Sequence, residues 1–204
     1  MSFGDNLKNA IKSRGFDIDE VAIQIDVDAS TLYGYSENLY YPQFNNLCEI
    51  CNRFSISPNE LFDGLYDCQT DEAANTFKIT YMLQTLTPEQ KQTADKVIDA
   101  FVNHLGRNDL KSLGSRIRRL RNYYDLSAET LAKKSHLAPS TIRNIESNTS
   151  QPSVTSMLTL ANVFQVSPNY LLCERVNIPA EKRYFKLLPN EIVLLYDVLN
   201  TFFK

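Results

Sequence analysis

Two groups of residues in this 204-residue sequence have types and spacings that could do chemistry. The first is Cys48-x-x-Cys51, which could be half of a zinc site or a thiol redox pair. Nothing nearby completes a tetrahedral set, because Cys68, Cys173, His104 and His136 are scattered along the chain. Both thiols also fall on an apolar helical pattern with Leu47, Ile50 and Phe54, where cysteine commonly acts as a small hydrophobe. Core packing is therefore the expected role, and neither metal nor cofactor is expected. The second group is cationic: Arg116, Arg118, Arg119 and Arg121, then Lys133, Lys134 and Arg143. Such a cluster at helical spacing suits a polyanion. Catalysis has no support, since the chain lacks a glycine-rich phosphate loop and a nucleophile elbow, and neither histidine lies near a nucleophile motif.

The elements that must position these groups are helical. Only 6 glycines and 8 prolines punctuate the chain, and its 43% hydrophobic and 22% charged content is that of a folded protein. No apolar run reaches the roughly 18 residues of a membrane span, and the first residues lack a leader's apolar stretch. No membrane association and a cytoplasmic location are the expectations. A shift of 110 residues aligns 4–62 with 114–172 without a gap, and about a dozen positions are identical. They include Ala22/Ala132, Ser30-Thr31/Ser140-Thr141, Asn38/Asn148, Pro42/Pro152, Phe54/Phe164 and Ser57-Pro58-Asn59/Ser167-Pro168-Asn169. Apolar positions such as Leu7/Ile117, Val21/Leu131 and Leu32/Ile142 also keep register, so the chain reads as two copies of one unit.

In the second copy, residues 115–123 predict a basic helix with Ile117 and Leu120 on one face and the four arginines elsewhere. Ser127 predicts an N-cap for a helix over 128–135, with Leu131 and Ala132 facing inward. His136-Leu137-Ala138 predicts a turn, and Pro139 opens a helix over 139–147 that buries Ile142 and Ile145. Asn148 suits a left-handed C′ position, Pro152 blocks continuation, and a fourth helix follows over 154–164. Ser167-Pro168-Asn169 starts a last short helix ending at Leu172. This string, with its LA, ST-I-x-x-IE, P-S and VSP-x-x-L elements in order, resembles the Cro/XRE phage-repressor helix-turn-helix family over its whole length.

The resemblance implies an all-α fold of two tandem five-helix repressor-like domains, each followed by a longer helix. It implies that the helix from Pro139 enters the major groove of double-stranded DNA, with Pro139, Ser140, Arg143 and Asn144 at base edges. Candidate phosphate contacts are Arg118, Arg119, Lys133, Lys134 and Thr141, with Thr149, Ser150 and Gln151 in the following loop. Ala128 stands where the family often has glutamine, so one frequent contact is missing. The resemblance also implies a structural ion pair between Arg121 and Glu146. In the first copy their equivalents are Ile11 and Ser36, so both partners are absent together.

The two copies carry opposite charge. Residues 106–174 hold nine Lys/Arg against five acids, a net +4, and residues 1–66 hold four against ten, a net −6. Phosphate neutralisation supplies most non-specific DNA affinity, so the second copy suits DNA and the first does not. Tyr33, Tyr40 and Tyr41 make the first copy a candidate for binding protein. The expected domains are 1–66, an acidic degenerate helix-turn-helix; 67–112, a linker and amphipathic helix over 89–105; 113–174, the DNA-binding domain; and 175–204, a linker and an apolar helix over 190–203. That last helix, with Val198, Phe202 and Phe203, is expected to pack back on the chain, to join two chains as a homodimer, or to do both. The expected function is a sequence-specific transcriptional regulator. The alternative is a helix-turn-helix scaffold that holds a protein, antitoxin-like or antirepressor-like.

Overall fold

The computed structural model describes residues 2–66, 71–105, 112–172, 175–177, 184 and 186–203. Among them every regular element is a helix: α1 (Phe3–Ser13), α2 (Ile18–Gln24), α3 (Ala29–Ser36), α4 (Phe44–Arg53), α5 (Pro58–Leu61), α6 (Asp71–Thr85), α7 (Pro88–Leu105), α8 (Leu113–Tyr123), α9 (Ala128–Ser135), α10 (Pro139–Glu146), α11 (Val154–Phe164), α12 (Pro168–Leu172) and α13 (Pro189–Phe202). The fold is all-α. The starts of α8 to α12 lie at 113, 128, 139, 154 and 168, each 110 residues after the starts of α1 to α5. None of the helices in the described residues is long and apolar enough to cross a membrane.

Local chemistry sets these boundaries. Ser112 and Ser115 cap α8 reciprocally, as Ser2 and Asp5 cap α1. The Ser127 hydroxyl accepts from Thr130 N–H at the head of α9. His136, Asn148 and Gln165 take left-handed backbone where α9, α10 and α11 end, with φ of 54°, 59° and 54°.

One hydrophobic core runs through α1–α5 and α8–α12 together. In the second half it is built from Ile117, Leu120, Leu131, Ile142, Ile145, Met157, Leu160 and Phe164, all with almost no exposure. Cys48 and Cys51 belong to this core through α4, and burial pushes both thiols above the ordinary cysteine range. No group of three or more His, Cys, Asp or Glu among the described residues is arranged to hold a metal.

The halves meet where α5 touches α12. Asn169 N–H donates to Asn59 Oδ1 at 2.9 Å, and Asn59 N–H donates to Asn169 Oδ1 at 3.1 Å. Ser57 Oγ adds a bond to Asn169 Oδ1. The Asn52 side chain donates to Arg175 O and accepts from Asn177 N–H, while Arg175 reaches Asn45 and the Phe44 ring.

A second, smaller core joins α6, α7 and α13 through Ile79, Ala94, Ile98, Ile192, Leu195 and Leu199. Here the structure corrects the sequence reading. Residues 71–85 form a helix within the stretch expected to begin as linker, and α13 packs against it. The helix was hard to see because Phe77 and Tyr81 point to solvent, opposite the Ile79 face, so its apolar residues show no single stripe. Phe203, an interface candidate, is partly buried in this core, whereas Val198 is half-buried and Phe202 is exposed.

Close approach of α8 to α10 leaves no room for a side chain at Gly114, where a Cβ would collide with the backbone oxygen of Ile145. Gly4 meets the Ser36 oxygen in the same way. Gly114→Ala is expected to lower unfolding free energy by about 3 kcal/mol in urea titration, outweighing the roughly 1 kcal/mol that alanine adds to a helix.

Candidate nucleic-acid interface

The α9–turn–α10 segment is assembled from small and apolar contacts. Leu131 and Ala132 are buried on the inner face of α9, and the short Ala132 side chain lets α10 cross closely. After His136, Leu137 is half-buried beneath the turn, and Pro139 opens α10 at a position that needs no N–H donor. With Ile142 and Ile145 buried, helical geometry turns Pro139, Ser140, Arg143 and Asn144 outward, and all four are exposed. Thr141 is half-buried.

The following loop folds back on α10, where Thr149 N–H and Ser150 N–H both donate to Asn144 O. Thr149, Ser150 and Gln151 are exposed there, as are Lys133 and Lys134 at the end of α9. A shallow cleft beside the loop is lined by Asn148, Ser150, Gln151 and Pro152 and, from the other half of the chain, by Phe44.

The carboxylate of Glu146 is almost fully buried at the last residue of α10. Arg121 donates to both of its oxygens, at 2.6 and 3.0 Å, and to Leu126 O at 2.9 Å. Hydrogen bonding to Glu146 raises the Arg121 pKa above its already high value. Arg118 approaches the same carboxylate at 3.6 Å and donates to Glu146 O, yet its side chain stays about half exposed.

Arg143 reaches back across the motif to Glu129, and both side chains are more than half exposed. The Glu129 carboxyl lies below the ordinary range, first through its own backbone N–H at the head of α9 and then through Arg143. Water screens a pair this exposed, so Arg143 is easily released to another partner.

Two arginines are placed differently from the sequence expectation. Arg119 does not face outward toward phosphate. It pairs with Glu191 of α13 at 2.8 Å, with both side chains largely buried, and also donates to Leu105 O. The reason is tertiary, because the α7–α13 bundle covers that flank of α8. Arg116 lies in the core rather than on the polar side of α8, and donates to Tyr170 O at 2.9 Å. A signal for Arg116 existed. Its equivalent at the 110-residue offset is Asn6, also buried, which donates to Leu61 O and Asp63 O. A polar residue at the inward position of both first helices marks a tie to the end of the fifth. The roles of Glu129 and Glu191 had no local signal, since their partners are 14 and 72 residues away.

The first half presents a different surface at the corresponding positions. Ile23, Tyr33, Leu39, Tyr40 and Tyr41 are exposed and stand 110 residues before Lys133, Arg143, Thr149, Ser150 and Gln151.

The helix-turn-helix family model, of the Cro/C1 type, matches residues 117–171, from within α8 to α12. No curated protein and no solved structure gives a match. The matched stretch supports a DNA-binding helix-turn-helix regulator in general.

Removing one member of the buried pair leaves the other uncompensated. Glu146→Ala is expected to cost about 3 kcal/mol in chemical denaturation, the low end for a buried pair because Arg121 retains some solvent and its bond to Leu126 O. Glu129→Ala, at the exposed pair, is expected to leave the denaturation midpoint in the same measurement nearly unchanged.

Proposed function

We propose that this chain is a sequence-specific DNA-binding transcriptional regulator in which α10 enters the major groove. The observation that carries the reading is the exposed face of α10. It offers Pro139, Ser140, Arg143 and Asn144 to base edges from within the matched segment. Arg143 is suited to guanine through its two-pronged donor geometry, and Asn144 to adenine. Arg118, Lys133, Lys134, Thr141 and the Thr149–Gln151 loop serve phosphates around that face, and Arg119 is withdrawn from the set. The net +4 of residues 106–174 supplies the attraction.

In this reading α1–α5 and α8–α12 are two copies of one unit. Twelve identical residues, matched helix starts and equivalent cores at the same offset support it. The first copy is the protein-binding one. Its exposed Ile23, Tyr33, Leu39, Tyr40 and Tyr41 replace polar or cationic residues of the second copy, and its net charge of −6 repels phosphate.

A homodimer through the terminal helix would use the apolar residues that α13 does not bury in its own core. Ile192, Leu195 and Leu199 are buried in the core shared with α6 and α7, which leaves Leu194 and Phe202 exposed and Val193 and Val198 half-buried on α13. The reading of the chain as solely a protein-holding scaffold is favoured by the first copy and opposed by the cationic surface of the second.

Binding sites selected from random duplex DNA provide the test. Against the selected site, Arg143→Ala is expected to lose roughly 1–3 kcal/mol and to relax preference at one base pair. Lys134→Ala is expected to weaken all sequences alike and to reduce the salt slope by about one. Failure of the full chain to bind any duplex at low salt would refute the regulator reading.

A further inference from the structure

The contact between α5 and α12 has the form of a symmetric dimer interface. Asn59 and Asn169 occupy equivalent positions 110 residues apart, and each backbone N–H donates to the other's side-chain oxygen. Reciprocal contact of a residue with its own equivalent is what a two-fold axis produces between identical subunits. Here the axis would pass between two segments of one chain. The loop after α10 borders this seam, because it shares its cleft with Phe44 and Arg175.

We propose that the chain is a single-chain pseudo-dimer that reads an asymmetric DNA site with one helix. The inference rests on the DNA-binding reading of the second copy given above. A repressor-class dimer places two equivalent helices over half-sites about one helical turn apart. In this chain the second place is filled by α3, whose corresponding positions are Ala29, Ser30, Tyr33 and Gly34. None can neutralise a phosphate, and only Ser30 and Tyr33 carry a side-chain polar group. Gly34 lies against the ring of Tyr40, which occupies the space an outward side chain would need. Asp26 and Asp28 precede α3 where the second copy has His136 and Ala138. The surface on which a second chain could pair is thus occupied within the molecule by a partner that cannot read bases. One chain should therefore bind one half-site with no palindromic preference.

The test uses the full-length chain and a graft that restores a reader to α3. The graft combines Ile23→Lys, Tyr33→Arg, Gly34→Asn and Tyr40→Ser, the last making room beside position 34. Sites selected by the wild type should be non-palindromic and carry one chain per duplex by native mass spectrometry. Its affinity should be equal, within about twofold, for a single half-site and for an inverted pair at about 10 base pairs between centres. The graft, with unchanged helical circular dichroism, should prefer the inverted pair by about tenfold or more. Three results overturn the proposal: a palindromic wild-type site, two chains per selected site, or a folded graft without preference for the inverted pair at spacings of about 8–12 base pairs. If the graft misfolds, site symmetry and stoichiometry of the wild type decide alone. A wild type that binds no duplex removes the DNA-reading proposal itself, an outcome distinct from the other three.

Discussion

A buried carboxylate at the end of α10 is the constraint on which the second half of the molecule depends. Glu146 is the last residue of α10, where the helix dipole already disfavours negative charge, and it has almost no access to water. Both penalties must be offset by a cation with matching geometry. Arg121 supplies it, donating to both carboxylate oxygens and to the carbonyl of Leu126. The guanidinium thereby ties α8, the loop before α9 and the end of α10 to one point. Gly114 lets α8 approach the same turn from the other side, with the Ile145 carbonyl where a side chain would be. The direction of α10, and so of Arg143 and Asn144, follows from this junction.

The first half meets the same geometric demand with different chemistry. Ile11 and Ser36 are buried in place of the ion pair, and Gly4 repeats the close approach, now against Ser36. No charge needs neutralising there, so the junction tolerates loss of both partners together. On that frame the outer surface differs, with isoleucine, leucine and tyrosine at positions 110 residues before lysine, arginine and small polar groups. Exposed aromatics and a net negative charge suit a protein surface better than a polyanion. Core and surface of this scaffold are set by separate residues, so the same frame can carry surfaces of different chemistry.

Much of this was legible in the sequence, for a physical reason. Helix boundaries are local: Ser127 caps α9 through a bond to Thr130, three residues on, and Pro139 opens α10 by removing a donor that has no partner there. Which side of α10 is buried follows from the spacing of Ile142 and Ile145. What the sequence hid is non-local or lacks a period. The face of α6 is blurred by Phe77 and Tyr81, and the fate of Arg119 depends on Glu191, 72 residues away.

The sequence by itself therefore determined the helices of 113–172, their 110-residue correspondence with 3–62, the opposite charges of the two stretches and the outward residues of α10. All are consequences of short-range hydrogen bonding, periodicity and composition. Only the tertiary structure decided which cations remain free. Arg116 enters the core, Arg119 turns to α13, Arg121 is committed to Glu146, and Arg143 is left in an exposed pair with Glu129. It also decided that α5 and α12 meet through Asn59 and Asn169. A guanidinium has the same charge wherever it stands in the sequence, but what it neutralises depends on which distant groups the packed helices bring within 3 Å of it.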